Sequence, residues 1–340
     1  MKIGIIGAGQ LSRMLAIAGI PMGFEFVFFN TAKESCVDNL GKVYHSTFND
    51  VKTIRQFADE CDIITYENEN IPYDFIKSLE LLKPVYPNAE VLKSTQDRLL
   101  EKKLFKTLAI PTVPYQAIED RNDLQLFVNQ YDFPVIIKSR QQGYDGKGQY
   151  KIGSKSEIDK VANLTLSNSI VEKMISFDRE VSIIAVRSVL GEIQYYDLAE
   201  NTHVNGVLNR TVNRKDDPMF ELAKSYIDKI VNHFNYIGCI ALEFFQVKDE
   251  LLANEIAPRV HNSGHWTIEG AFCSQFQNHL RAISGCALGN TNSSGFYSMT
   301  NMLGKLLPRH EILKSPNHYF HDYHKYPTPG RKVGHICEKI

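Results

Sequence analysis

The chain opens with an apolar run, Lys2–Ile6, that reads as a buried strand. Gly7-Ala-Gly9-Gln10-Leu11 then turns into a helical pattern lasting to about Gly19. Further short apolar runs at 24–29, 63–66 and 85–87 alternate with amphipathic helical stretches. That rhythm predicts a parallel, doubly wound sheet over residues 1–95. The segment 95–108 is charged and helical, and Ile110-Pro111 ends it. Runs at 134–138 and 150–152 flank a glycine-rich loop and predict two strands of a small antiparallel sheet. A helix around 155–164 and a strand at 169–172 complete this unit, which ends near residue 175. Longer strands follow at 179–186 and 193–198, with helices at 219–235 and 275–284. The expected division is therefore 1–95, 96–175 and 176–340, with an α/β first part and an α+β remainder.

Composition narrows the partners. The formal charge is −1, from 38 Lys+Arg against 39 Asp+Glu, which argues against nucleic acid or an anionic membrane surface. No apolar run reaches membrane-spanning length, and the glycine-broken start followed by Gln10 and Arg13 reads as a strand, not a signal peptide. The six cysteines are scattered without a C-x-x-C, the pattern of reduced cytoplasmic thiols.

The most informative pair is Glu243 and Glu255. They lie in two apolar, strand-like runs, 239–247 and 251–257, separated by Lys248-Asp249-Glu250. A three-residue hairpin loop pairs Val247 with Leu251 and sets Glu243 opposite Glu255. Side chains alternate along a strand, so both carboxylates share a face with Cys239, Ala241, Phe245, Val247, Leu251, Ala253 and Ala257. Opposed like charges on an apolar face need a cation between them, and Mg2+ suits two oxygen ligands while leaving room for phosphates.

Other constellations are weaker alone. Gly7-Ala-Gly9-Gln-Leu-Ser12 begins like a dinucleotide fingerprint but has Ser12 for the third glycine; a phosphate cradle and a plain tight turn both fit. Gly143-Tyr144-Asp145-Gly146-Lys147-Gly148-Gln149 fits a phosphate-covering loop or a flexible hairpin tip. Lys138, closing the apolar strand before it, favours phosphate. Glu172, Lys173, Met174 and Ile175 form a linker whose backbone could read an adenine edge, and Glu180 could accept from ribose hydroxyls. Arg259, His261 and Asn262 follow the acidic hairpin and suit a small anion. His261-x-x-x-His265 has zincin spacing, but Asn262 replaces the essential Glu, so a zinc protease is rejected. His318, His321 and His324 are expected in an exposed aromatic-rich loop. Lys325, Arg331 and Lys332 supply late positive charge, and Glu67, Asn68 and Glu69 close a strand at the sheet edge where such folds bind ligands.

Together these motifs resemble the ATP-grasp superfamily and, more closely, the family of N5-carboxyaminoimidazole ribonucleotide synthetases. They span nearly the whole chain: Gly-x-Gly-Gln-Leu, Gly-Tyr-Asp-Gly-Lys-Gly-Gln, Phe-Asp-Arg-Glu-Val-Ser, Glu-Asn-x-His203, Asn254-Glu-Ile-Ala-Pro-Arg-x-His-Asn-Ser-Gly-His and Pro-Gly-Arg-Lys-x-Gly-His335. The resemblance implies an ATP-grasp fold behind a Rossmann-like first domain, a homodimer, and ATP gripped between the small middle domain and the C-terminal one. It implies ATP contacts from Arg98, Lys138, Gly143 to Gln149, Glu172 to Ile175, Glu180, His203, Asn254 and Glu255. Glu243 and Glu255 would hold one or two Mg2+ ions. Arg259, His261 and Asn262 would hold bicarbonate. Asp145, Lys325, Arg331 and Lys332 would meet the aminoimidazole ribonucleotide, with Gln10, Leu11 and Glu69 reaching it from the first domain. Ser12 departs from the family pattern. The chain also ends at Ile340, soon after the Gly-His motif where members continue, so a final element is expected to be missing.

The implied reaction is ATP- and bicarbonate-dependent carboxylation of 5-aminoimidazole ribonucleotide in purine biosynthesis, through carboxyphosphate. Two rivals stand beside it: a formate-dependent ligase that formylates glycinamide ribonucleotide, and, resting on Gly7-x-Gly9 alone, a nicotinamide dehydrogenase.

Overall fold

The structure is a computed structural model that describes residues 1–141, 148–161 and 166–340, with only the backbone at 159–161. The predicted Gly143, Tyr144, Asp145, Gly146 and Lys147 lie outside the described residues.

The described residues form three sheets. The first is parallel, in the order Lys42–His45, Glu25–Asn30, Lys2–Ile6, Ile63–Tyr66. Three of its strands, Glu25–Asn30, Lys2–Ile6 and Ile63–Tyr66, are buried on both faces, as their unbroken apolar runs require. Phe26 and Phe28 enter one core while Val27 and Phe29 enter another. The expected strand at 85–87 is only a bridge, Ile64 to Val85, and Lys42–His45 replaces it as a full member. That strand has no interior apolar run, which hides it in the sequence.

The second sheet is antiparallel, in the order Tyr115–Ile118, Ser169–Lys173, Val135–Ser139, Gln149–Ile152. The expected helix after it is a 3-10 helix over Lys155–Val161. The third sheet has nine strands and runs from the Glu250–Ala257 edge, through Gly238–Val247 and Arg179–Arg187, to His318–Asp322. Its core is continuous with that of the first sheet: Ile3, Ile5, Leu15 and Phe28 share one cluster with Val186, Cys239, Trp266 and Leu280. The helix Gln275–Ser284 carries Leu280 and Phe276 into that junction.

The expected exposed loop around His318 is instead the strand His318–Asp322, paired to Lys332–Lys339. Tyr319 and Tyr326 are exposed, but Tyr323 is fully buried and hydrogen bonds His335 Nδ1 at 2.8 Å. His321 stacks on His335 with centroids 4.5 Å apart. Polar residues at every third position misread a strand whose one face lies on the core.

Candidate active site

A cleft of about 1560 Å³ lies where the three sheets meet. It gathers Gln10, Leu11, Glu69, Arg98, Lys138, Gln149, Glu172, Lys173, Met174, Ile175, Glu180, His203, Glu243, Asn254, Glu255, Arg259, His261, Asn262, Lys325, Arg331 and Lys332. Of the sequence-predicted site residues that are described, only Gly148 is absent from the lining. It sits at φ +69 beside the cleft hairpin, where a Cβ would come within 2.7 Å of Ser139 Oγ.

The acidic hairpin reaches the expected juxtaposition by a different route. Val247 pairs with Glu250, so the loop has two residues, not three, with Lys248 at φ 52. That turn alone would have slipped the register by one. A β-bulge then sets two residues, Asn254 and Glu255, against Glu243, and pairing resumes at Leu242 with Ile256. The one-residue slip at the turn also puts Leu251 and Ala253 off the acidic face; they join Leu242 and Phe244 in the core behind it. Phe245 stays on the cleft side and stacks on Phe177, centroids 4.8 Å apart.

The electrostatics around this hairpin are severe. Burial, and then the neighbouring Glu255, push the Glu243 carboxyl up to about 8. The same two causes push Glu101 up to about 8, and Glu101 accepts from the Ile256 N–H at 2.7 Å. His203 Nδ1 lies 2.8 Å from Glu180. Burial disfavours its protonation, but Glu180 and then Glu243 outweigh that and raise its pKa.

Two lysines, Lys138 and Lys102, gather on Glu172. Lys138 Nζ meets Glu172 Oε2 at 2.6 Å, and Lys102 Nζ lies 3.7 Å from Oε1. Burial alone would raise Glu172; Lys102 and Lys138 overcome it and hold the carboxyl at about 2. Lys102 escaped the sequence reading. It is fully buried and donates to Thr112 Oγ1 at 2.7 Å and to the carbonyls of Ala253 and Asn254 at 3.3 and 3.2 Å. It thereby ties the helix Arg98–Thr107 to the Glu255 strand. Its signal was the i, i+4 spacing from Arg98, which sets both cations on one helical face. Lys173 lines the cleft, but its ammonium donates to the carbonyls of Asp132 and Phe133.

Six residues expected on ligands are held by protein partners. Arg259 and Glu69 hold each other at 2.5 and 2.9 Å. Arg331 grips Glu34 at 2.7 and 3.0 Å, and Lys325 donates to Gln10 Oε1. Asn262 exchanges carboxamide hydrogen bonds with Asn301 at 2.7 and 3.1 Å.

The Gly7-Ala-Gly9 turn does not serve as a phosphate cradle. Glu67 fills it: its Oε1 accepts from Gly9 N–H at 2.6 Å and its Oε2 from Ser12 N–H at 3.0 Å. An internal carboxylate thus takes the place an anion would take at this helix start. Glycines are needed because a Cβ at Gly7 would lie 2.4 Å from Glu67 Cγ. Ser12 is accommodated as well; its hydroxyl donates to the Gly7 carbonyl at 3.0 Å. This removes the feature on which a nicotinamide dehydrogenase rested.

Comparison with known proteins agrees with this geometry. The ribonucleotide synthetase preATP-grasp domain matches residues 1–96, the ATP-grasp domain 103–276 and the phosphoribosylaminoimidazole carboxylase C-terminal domain 298–337. An N5-carboxyaminoimidazole ribonucleotide synthase of Pseudomonas aeruginosa is 43% identical, over 98% of this chain and 93% of its own. The crystal structure of N5-carboxyaminoimidazole ribonucleotide synthetase from Thermus thermophilus superposes with a TM-score of 0.94 at 41% identity, covering 99% of this chain and 93% of that one. The Aspergillus clavatus synthase in complex with ADP and 5-aminoimidazole ribonucleotide gives a TM-score of 0.88 at 25% identity, covering 100% and 93%. Matched along its length in sequence and in fold, this chain belongs to the N5-carboxyaminoimidazole ribonucleotide synthase family.

Proposed function

We propose that the protein carboxylates the 5-amino group of 5-aminoimidazole ribonucleotide, consuming ATP and bicarbonate and releasing ADP and phosphate, in purine biosynthesis. The observation that carries the reading is the cleft itself. It sets the Glu243–Glu255 hairpin between Lys138, paired with Glu172, and the Arg259–His261 corner. Phosphoryl transfer needs charge neutralisation and alignment more than covalent help. Bicarbonate oxygen takes the γ-phosphoryl group as ADP departs, giving carboxyphosphate. The amine nitrogen then attacks its carbon, or the carbon dioxide it releases; phosphate leaves and the nitrogen gives up a proton.

The roles follow position. Met174, Ile175 and Phe177 offer an apolar wall for adenine, Glu180 faces the ribose, and Lys138 meets the phosphates. Gln10, Lys325 and Arg331 lie together at the first-sheet end of the cleft and take the ribonucleotide. The family resemblance, not position, assigns Asp145 to the amine and Gly143 to Gly148 to the phosphates. Glu243 and Glu255 fit Mg2+: both are oxygen donors, Glu243 buried and Glu255 half-buried beside it, and that proximity with burial raises the Glu243 pKa. Among the described residues no three His, Cys, Asp or Glu form a cage, so water and phosphate oxygens would complete the shell. When bound, the ion supplies positive charge to the transferring phosphoryl group.

The reading carries with it the three-part division, a homodimer and a cytoplasmic setting. Five of the six free cysteines are buried, and among the described residues no helix is long and apolar enough to cross a membrane. The test is ADP release measured with and without the ribonucleotide, bicarbonate and formate. Dependence on bicarbonate and the ribonucleotide together is expected; dependence on formate would overturn the reading.

A further inference from the structure

His261 stands at the end of a buried chain of polar side chains. Thr211 Oγ1 lies 2.9 Å from Asn201 Oδ1, and Asn201 Nδ2 lies 3.0 Å from Ser182 Oγ. Ser182 Oγ lies 2.7 Å from Ser263 Oγ, which lies 2.9 Å from His261 Nδ1. Thr211, Ser182 and Ser263 are wholly buried.

The middle links could run in either direction, because hydroxyls rotate and an amide can flip. The two ends cannot. At the inner end the Ser263 backbone N–H points at His261 Nδ1, 3.4 Å away, and an amide N–H only donates. Nδ1 must therefore carry a lone pair. At the outer end Nε2 lies 3.6 Å from Glu243 Oε1, and a neutral imidazole whose Nδ1 is bare carries its one proton on Nε2. With both ends set, every link has one direction: Thr211 donates to Asn201, Asn201 to Ser182, Ser182 to Ser263 and Ser263 to Nδ1. All four hydrogen bonds are then satisfied, as burial demands.

We propose that Ser263, backed by Ser182 and Asn201, locks His261 as its neutral Nε2–H tautomer, so that it meets bicarbonate as a hydrogen-bond donor and not as a base. The second half rests on the bicarbonate reading above; the first does not. A donor fixed in direction stabilises the charge that grows on bicarbonate oxygens as they take the phosphoryl group. A base at this position would need a lone pair on Nε2, which the inner hydrogen bonds deny. Ser263 is thus a positioning residue, out of reach of the substrate, whose contribution lies in the tautomer it selects.

The test is long-range 1H–15N NMR of the full chain labelled at histidine, with His261 assigned by its loss in H261Q. The expected spectrum shows a protonated Nε2 and a bare Nδ1. A proton on Nδ1, or comparable amounts of both tautomers, would overturn the lock. In S263A the single-tautomer pattern should be lost and KM for bicarbonate should rise about tenfold, with KM for ATP within about twofold of wild type. Should S263A fold poorly, S182A removes the next link and should blur the tautomer in the same direction. Glutamine presents an N–H near the Nε2 position but accepts no proton, so H261Q should retain about tenfold more bicarbonate-dependent turnover than H261A. Equal losses in the two would overturn the donor role. A wild-type enzyme whose ADP release ignores bicarbonate would defeat the functional reading and the donor role while leaving the tautomer spectrum as it stands.

Discussion

Arg259 and Glu69 form a two-point ion pair that joins the third sheet to the first, Nε to Oε2 at 2.5 Å and Nη2 to Oε1 at 2.9 Å. The guanidinium expected on bicarbonate and the carboxylate expected on the ribonucleotide hold each other. Both side chains are largely sheltered, at 17% and 24% exposure, so removing one partner leaves a poorly solvated charge. E69Q should lower bicarbonate-dependent turnover at least about tenfold and cost on the order of 2 kcal/mol of stability. Steady-state kinetics with each substrate varied in turn check this. A change confined to KM for ATP would contradict the placement.

Glu243 is a carboxylate whose folded pKa, about 8, lies above its unfolded value of 4.5. The sign follows: the folded protein holds this proton more tightly, so stability falls as pH rises from about 4.5 through 8. E243Q should therefore melt higher than wild type near pH 8 without Mg2+, while losing ATP turnover. Adding Mg2+ should raise the wild-type Tm and leave that of E243Q almost unmoved. Equal stabilisation of both proteins would remove the metal assignment.

His279 works in the opposite sense. Its Nδ1 accepts from Cys239 N–H at 3.1 Å, so Nε2–H donates to Thr65 Oγ1 at 2.9 Å, bridging the first and third sheets. Burial lowers its pKa from 6.5 to about 4. The unfolded chain binds this proton first, so stability falls as pH drops from about 6.5 to 4, by roughly 3 kcal/mol for this residue. His261, His265 and His335, also driven down chiefly by burial, add in the same direction. Urea unfolding between pH 7.5 and 5 should show the loss, and H279Q should flatten part of it.

Glu67 should prove a positioning residue for the first-sheet end of the cleft. E67Q removes the charge that gathers the Gly9 and Ser12 N–H groups, worth about 1.5–3 kcal/mol for hydrogen bonds to a charged acceptor. The loop carries Gln10, so KM for the ribonucleotide should rise while ATP hydrolysis without it changes little. Reduced nicotinamide should produce no turnover in either protein.

Lys102 should matter more than its position off the motifs suggests. K102M keeps much of the volume but leaves Lys138 alone against Glu172 and frees the carbonyls of Ala253 and Asn254. KM for ATP should rise about tenfold, with a destabilisation of about 1–3 kcal/mol. Calorimetric binding of ADP measures the first and thermal unfolding the second.

The sequence alone determined that a parallel first sheet, a small antiparallel sheet and an acidic hairpin exist, though not the strands Lys42–His45 and Tyr115–Ile118. Each is set by short-range periodicity: unbroken apolar runs for strands buried on both faces, alternation for the hairpin. It also determined the family, because the motifs name residue types whose chemistry needs no coordinates. Tertiary structure alone decided how those residues are spent. The Gly7–Gly9 turn looks open in the sequence, yet Glu67, 58 residues beyond Gly9, occupies it. The two-residue turn at Lys248 set the hairpin out of step, and only the bulge at Asn254–Glu255 brought the acids together. Lys102 and the Ser182–Ser263 chain carry no local signal of their neighbours, because their partners lie across the fold. Hydrogen-bond direction and burial are properties of the assembled interior, where the side chains that back Ser263 against His261 come from Ser182, Asn201 and Thr211, far away in sequence.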